Sequence, residues 1–278
     1  MKKIGFIDYY LDEWHANNYP AWIKEHSSGE QVVAYAYAYR EPPFAGMSSA
    51  EWAKKQGVEL VPTIDVLIEK SDCIVVLSPD NSEMHYELSK QALTTGKPVY
   101  VDKTFADSGE IARKIFAIAQ EHNTPCYSSS ALRFSSVVNS IDKSDIRSVT
   151  SWGGGTPGNY IIHQLEPLAM LMGTEVEKVL CTVAAGYHTW CLSYRDGRKA
   201  YINVCTDEPG FTTKIVHKDH METVEINDAF FDAFITSLVD FFRTGEVPVS
   251  PADTIRIMEI RERCLQALET PEVWISID

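Results

Sequence analysis

Through its first 130 residues the chain alternates short apolar runs with helical patterns, and this rhythm restricts the fold more than any other feature. Residues 4–7, 32–39, 58–61, 73–77, 98–101 and 127–130 read as strands. Ser48 and Glu51 form an S-x-x-E capping box for a helix that Gly57 ends, and Thr63 opens the next. Asp80 or Asn81 can cap a helix carrying Met84, Leu88 and Ala92 on one face up to Gly96, and Ser108 starts another with Ile111, Ile115 and Ala119. Continuous apolar strands separated by helices predict an α/β, doubly wound parallel sheet.

From residue 146 the pattern becomes mostly extended, with a helix over 163–172 and turns at Arg195-Asp196-Gly197-Arg198 and, more weakly, Lys218-Asp219-His220. Helical patterns follow at 229–243 and 251–268, then a closing strand at 273–277. Strands in succession flanked by helices predict an α+β domain with a largely antiparallel open sheet. The expected domains are 1–130 and 131–278.

A length of 278 residues and 45% apolar content suit two moderate domains with real cores. A net charge of -14 without any Lys/Arg cluster excludes nucleic acid as a natural partner. The six cysteines form no C-x-x-C pair, which fits a reducing cytoplasm. No run is long enough for a signal-peptide core or a membrane span, so no membrane partner is expected. His217 and His220 flank a turn with no third ligand visible, and no metal is implied.

Four segments, in order, carry chemistry. They are Ser78-Pro79-Asp80-Asn81 with His85 after the fourth strand; Gly96-Lys97-Pro98 leading to Asp102-Lys103; Arg133-Phe134; and Gly153-Gly154-Gly155 followed by His163-Gln164-Leu165-Glu166 and Leu171-Met172-Gly173. In this order and spacing the chain resembles the Gfo/Idh/MocA family of oxidoreductases. The resemblance implies a Rossmann-like dinucleotide-binding-type first domain, NAD or NADP as cofactor, and a small sugar or polyol as substrate. It implies that Lys103 holds the reacting oxygen and that His163 exchanges the proton during hydride transfer, a task suited to imidazole. Asn159 stands where the family places an aspartate; it can hydrogen-bond a hydroxyl but cannot hold a proton. Asp8, Tyr10, Arg40, Ser78, Pro79, Asn81 and His85 occupy the family's cofactor-binding positions. Glu166 could orient the His163 ring or be a surface acid, and Arg133 reads as structural. The family's open sheet implies a homodimer or higher homo-oligomer.

The chain departs from the family at three points. After residue 7 it reads Asp8-Tyr9-Tyr10-Leu11-Asp12-Glu13-Trp14-His15, with no glycine where a pyrophosphate must approach a helix N-terminus. Tyr10 would fill that space, and Asp8, Asp12 and Glu13 would oppose phosphate charge. The second strand ends Tyr35-Ala36-Tyr37-Ala38-Tyr39-Arg40, with tyrosines that read as core and an arginine able to meet a 2′-phosphate. Thr104 replaces the proline after Lys103, and a trans Lys103-Thr104 bond is expected because cis costs about 3–4 kcal/mol without proline. Two readings stand: an NAD(P)-dependent oxidoreductase with an unusual cofactor loop, or the same fold without dinucleotide chemistry, as a non-redox carbohydrate-active enzyme or an inactive ligand-binding protein.

Overall fold

The computed structural model describes residues 1–207 and 210–277. It divides into two compact units, Met1–Ser129 with Phe234–Thr254, and Ser130–Ala233 with the chain from Ile255 onward.

The first unit runs β1 (Lys2–Asp8), α1 (Trp14–His26), β2 (Gln31–Ala38), α2 (Ser49–Gln56), β3 (Glu59–Leu60) and α3 (Ile64–Lys70). It continues through β4 (Cys73–Val76), α4 (His85–Ser89), β5 (Val99–Val101), α5 (Gly109–Glu121) and β6 (Cys126–Tyr127). All six strands are parallel, in the order β3-β2-β1-β4-β5-β6, the doubly wound arrangement that the alternation predicts. The central strands are apolar because helices cover both faces: Ile4, Phe6, Ile7 and every residue of β4 and β5 are fully buried.

The capping box is present in full, with Glu51 N donating to Ser48 Oγ (3.3 Å) and Ser48 N donating to Glu51 Oε2 (2.9 Å). Gly57 ends α2 at φ 69°. The expected single helix from residue 81 to Gly96 is instead broken: 3₁₀ turns at Ser82–Met84 and Ala92–Thr94 flank the short α4. Asn81 makes no capping bond, and the Thr94 and Thr95 hydroxyls donate to the carbonyls of Gln91 (2.9 Å) and Ala92 (2.7 Å), local bonds that compete with helix.

The second unit holds α6 (Ser136–Asn139), β7 (Ser148–Gly153), α7 (Pro157–Met172), β8 (Val176–Ala184), β9 (Tyr187–Tyr194), β10 (Lys199–Cys205), β11 (Thr212–Val216) and β12 (Met221–Glu225). Helices α8 (Phe230–Thr244) and α9 (Pro251–Glu269) and strand β13 (Ile275–Ser276) follow. Its sheet runs β12-β11-β7-β10-β9-β8-β13, with β7 and β10 parallel and the other described pairs antiparallel. The sheet is thus largely antiparallel, as the succession of strands predicts. Trp190 is fully buried and donates its Nε1–H to the Cys264 carbonyl at 2.8 Å, tying β9 to α9.

From Phe234 onward α8 belongs to the first unit. Its buried aromatics pack there, Phe234 against Tyr19 and Tyr100, and Phe241 against Tyr127. Gln31 Nε2 donates to Val239 O at 2.8 Å, adding a polar tie.

Because the Ser48 cap is local and exposed, Ser48→Ala should cost about 1 kcal/mol in urea unfolding, and Ser48→Asp should restore most of it.

Candidate functional site

In the first unit β1 delivers Asp8 to the carboxyl edge of the sheet, where a Rossmann fold takes its pyrophosphate. Here the segment closes on itself. Glu13 is the N-cap of α1, and its carboxylate accepts from His15 N (2.6 Å) and from Ala16 N. These are the helix-terminal amides that otherwise serve an anion. Asp12 accepts from Met47 N (2.7 Å) and Asn17 Nδ2 (3.1 Å). Tyr10 meets Phe44 edge to face, and Tyr9 stacks on Tyr39. Arg40 lies over the Tyr9 ring and donates to its hydroxyl at 3.2 Å. Tyr39 is therefore no core residue; it is 55% exposed and covers the turn.

Beneath this turn lies a buried acid–imidazole cluster. His15 pairs through Nδ1 with Asp102 and stacks on Tyr19, while the Tyr100 hydroxyl donates to Asp102 at 3.0 Å. Burial pushes the Asp102 carboxyl up, but the neighbouring His15 outweighs it and brings it to about 2. Glu13 goes the other way: burial raises it to about 7 against the pull of His15 and the two amides. Asp8 is held well above the carboxylate range by burial and by Glu13. One Asp8 oxygen accepts from Tyr9 N (2.7 Å); the other is buried with no partner among the described residues.

The remaining cofactor-position residues of this unit make hydrogen bonds within it. His85 is completely buried between the carbonyls of Leu77 (2.7 Å from Nε2) and Phe105 (3.1 Å from Nδ1), and burial lowers its pKa. It braces two loops. Ser78 sits at φ 80° with Oγ donating to Asn81 O (3.0 Å), and Asn81 Nδ2 donates to Glu83 at 2.9 Å. Lys103 follows β5 and donates to the Pro79 carbonyl at 3.3 Å. The expected trans bond after it is corrected: Lys103-Thr104 is cis, in a stretch where Asp102, Thr104, Phe105 and Ala106 are all buried.

In the second unit α7 starts at Pro157, six residues earlier than its apolar pattern suggests, because proline suits the first helical position. Asn159 and His163 thereby fall one turn apart on one face. His163 Nδ1 meets Ser130 Oγ at 2.7 Å, and Tyr160 and Phe211 flank the ring edge-on. Two of the three glycines before the helix make room for these aromatics. A Cβ on Gly155 would fall 2.2 Å from Tyr160, and one on Gly153 would fall 2.6 Å from Phe211. Glu166 is no surface acid: it is 3% exposed and accepts from Arg133 Nε at 2.5 Å.

Sequence reasoning picked out Glu13 as a charge opposed to phosphate but missed its capping role and the His15–Asp102 pair. An acid directly before a helix start is the local sign of the first. The second joins residues 87 apart, and nothing local announces it. Ser130 as the partner of His163 was equally invisible.

A 3-2-1-4-5-6 parallel sheet followed by a mixed, mostly antiparallel one is the architecture of nicotinamide-dependent dehydrogenases. Residues 18–130 match the model of the Gfo/Idh/MocA oxidoreductase family, NAD-binding Rossmann fold. No curated protein matches the sequence significantly. Solved structures share the fold over nearly the whole chain. GenD2 from gentamicin A biosynthesis, in complex with NAD, is 13% identical with a TM-score of 0.82, covering 100% of this chain and 97% of that one. A probable dehydrogenase from Thermotoga maritima is 15% identical at TM-score 0.80, covering 99% and 98%. Myo-inositol 2-dehydrogenase from Lactobacillus plantarum is 14% identical at TM-score 0.77, covering 100% and 99%.

The residues at the first turn do not fit the dinucleotide that the family binds. The helix amides are occupied by Glu13, Tyr10 stands in place of a small residue, and three carboxyls crowd the position of a dianion.

Glu13 binds its proton more tightly folded than unfolded, so its contribution is full below its ordinary value of 4.5 and is lost as pH rises through about 7. Glu13→Gln removes this dependence. Urea unfolding from about pH 5 to about pH 8 should show the variant gaining roughly 2–3 kcal/mol on the wild type.

Proposed function

We propose that this chain keeps the dehydrogenase architecture but works on a small carbohydrate-like ligand without a dinucleotide at its first βα turn. The observation that carries this reading is the Glu13 carboxylate on the opening amides of α1. In this reading His163, held through Nδ1 by Ser130, serves as the acid–base group. Asn159, one helical turn before it, holds a ligand hydroxyl. The rings of Tyr160 and Phe211 beside His163 suit the apolar face of a sugar or polyol. The six cysteines are all unpaired, which supports a reducing compartment, the cytoplasm. Among the described residues no helix is long and apolar enough to cross a membrane.

The alternative, an NAD(P)-dependent sugar or polyol oxidoreductase, is favoured by the family match over residues 18–130. The two separate on one experiment. A panel of sugars and polyols in heavy water, without nicotinamide, should show ligand binding or carbon-bound proton exchange by NMR. His163→Ala should reduce exchange by about a hundredfold or more. Turnover that requires added NAD or NADP would select the oxidoreductase instead.

We also propose a homodimer through the open face of the second sheet, where Trp152 and Tyr187 are each 40% exposed with rings 6.3 Å apart. Light scattering should give twice the chain mass of 31.3 kDa, and Trp152→Glu should shift it to monomer.

A further inference from the structure

At the edge of the second sheet, the β11–β12 hairpin gathers three ligand-type side chains that the proposed reaction does not use. We propose that His217, His220 and Glu222 form a binding site for a divalent transition-metal ion, zinc in the first instance. One ring nitrogen of each histidine and a carboxylate oxygen of Glu222 lie within 4.8 Å of one another.

The arrangement follows from strand parity. A two-residue turn, Lys218-Asp219, sets His217 across from His220, with His217 N donating to His220 O at 2.9 Å. Val216 pairs with Met221 and Ile215 with Glu222, so His217, His220, Ile215 and Glu222 all project from one face of the hairpin. Ile215 is fully buried, so this is the covered face of the sheet, opposite the exposed Met221 and distinct from the face proposed for the dimer.

The ring nitrogens are already sorted. His217 directs Nδ1 to the Ser144 carbonyl (3.4 Å) and Nε2 to Glu222 Oε1 (3.0 Å). His220 Nδ1 is held by Asp219 Oδ1 at 2.8 Å. Metal-binding histidines characteristically rest one nitrogen on a carbonyl or carboxylate and offer the other. The two rings lie parallel with centroids 4.3 Å apart, which places both imidazoles side by side at the end of the hairpin. A simple ion pair with Glu222 needs only His217 and leaves the second stacked ring without a purpose.

Charge and softness point to the same class of ion. Glu222 and Asp219 bring negative charge to the site, and Asp142 lies within electrostatic reach of both rings. Two imidazoles with a carboxylate suit zinc and its neighbours rather than magnesium or calcium. Zinc–nitrogen bonds near 2.0–2.1 Å require ligand atoms about 3.3 Å apart. The His217–Glu222 pair is already close to this, and the exposed His220 has room to close the remainder. Three protein ligands would leave a fourth position for water.

The test is a calorimetric zinc titration of the metal-stripped full chain, with the absorption spectrum of the cobalt(II) form as a readout of ligand geometry. One zinc per chain should bind with micromolar or tighter affinity, and cobalt should give the intense visible bands of a tetrahedral site. His220→Gln and Glu222→Gln, both on side chains at least partly exposed, should each weaken binding by about tenfold or more and bleach the cobalt bands. Lys218→Ala, on the same turn, should change neither, and circular dichroism verifies that each variant is folded. Absence of saturable zinc binding in the folded wild type would overturn the assignment. So would wild-type affinity in the His220 and Glu222 variants.

Discussion

The Glu13 carboxylate on the first amides of α1 is the contact around which the functional edge of the first unit is arranged. An open helix N-terminus at the end of a first Rossmann strand attracts an anion, because its amides and dipole have no internal partner. In this chain the partner is a carboxyl of the protein itself. The cap draws His15 into contact with Asp102 at the end of β5, and Tyr100 and Tyr19 complete the enclosure. The outer layer of Tyr9, Tyr10, Tyr39, Arg40 and Phe44 then covers a region that is already electrostatically satisfied.

Such a cluster is stable only if its charges are unequal. Asp102, partnered by His15, stays ionised, whereas Glu13 and Asp8 are pushed toward their neutral forms by burial and by each other. Two neighbouring buried carboxyls that favour their protons leave Asp102 as the one ionised acid of the three. A dinucleotide would have to displace the cap and add phosphate charge to this group. In the second unit His163 rests on Ser130, and the glycines at 153 and 155 make room for Phe211 and Tyr160.

The fold was legible because burial on both faces writes itself as continuous apolar strands, and because caps such as Ser48–Glu51 are local. The glycine-free turn was legible for the same reason: eight consecutive residues announce it. What escaped were interactions between distant positions. The His15–Asp102 pair and Ser130 on His163 depend on the sheet that brings them together. The break at Thr94–Thr95 escaped because threonine hydroxyls compete with the helix without altering its apolar spacing. The approach of Glu222 to the two histidines was missed although it could have been found, since period-two alternation across a two-residue turn places it on the same face as His217 and His220. The trans expectation at Lys103-Thr104 rested on a local preference, and the packed surroundings of Asp102 to Ala106 decide otherwise.

The central claim is that the amides of α1 are closed to a dinucleotide by Glu13. Calorimetric titration of the full chain with NADH and with NADPH tests it most directly. The account predicts no saturable heat up to millimolar cofactor. Micromolar binding, with a bound structure showing the pyrophosphate against His15 N and Ala16 N, would contradict it.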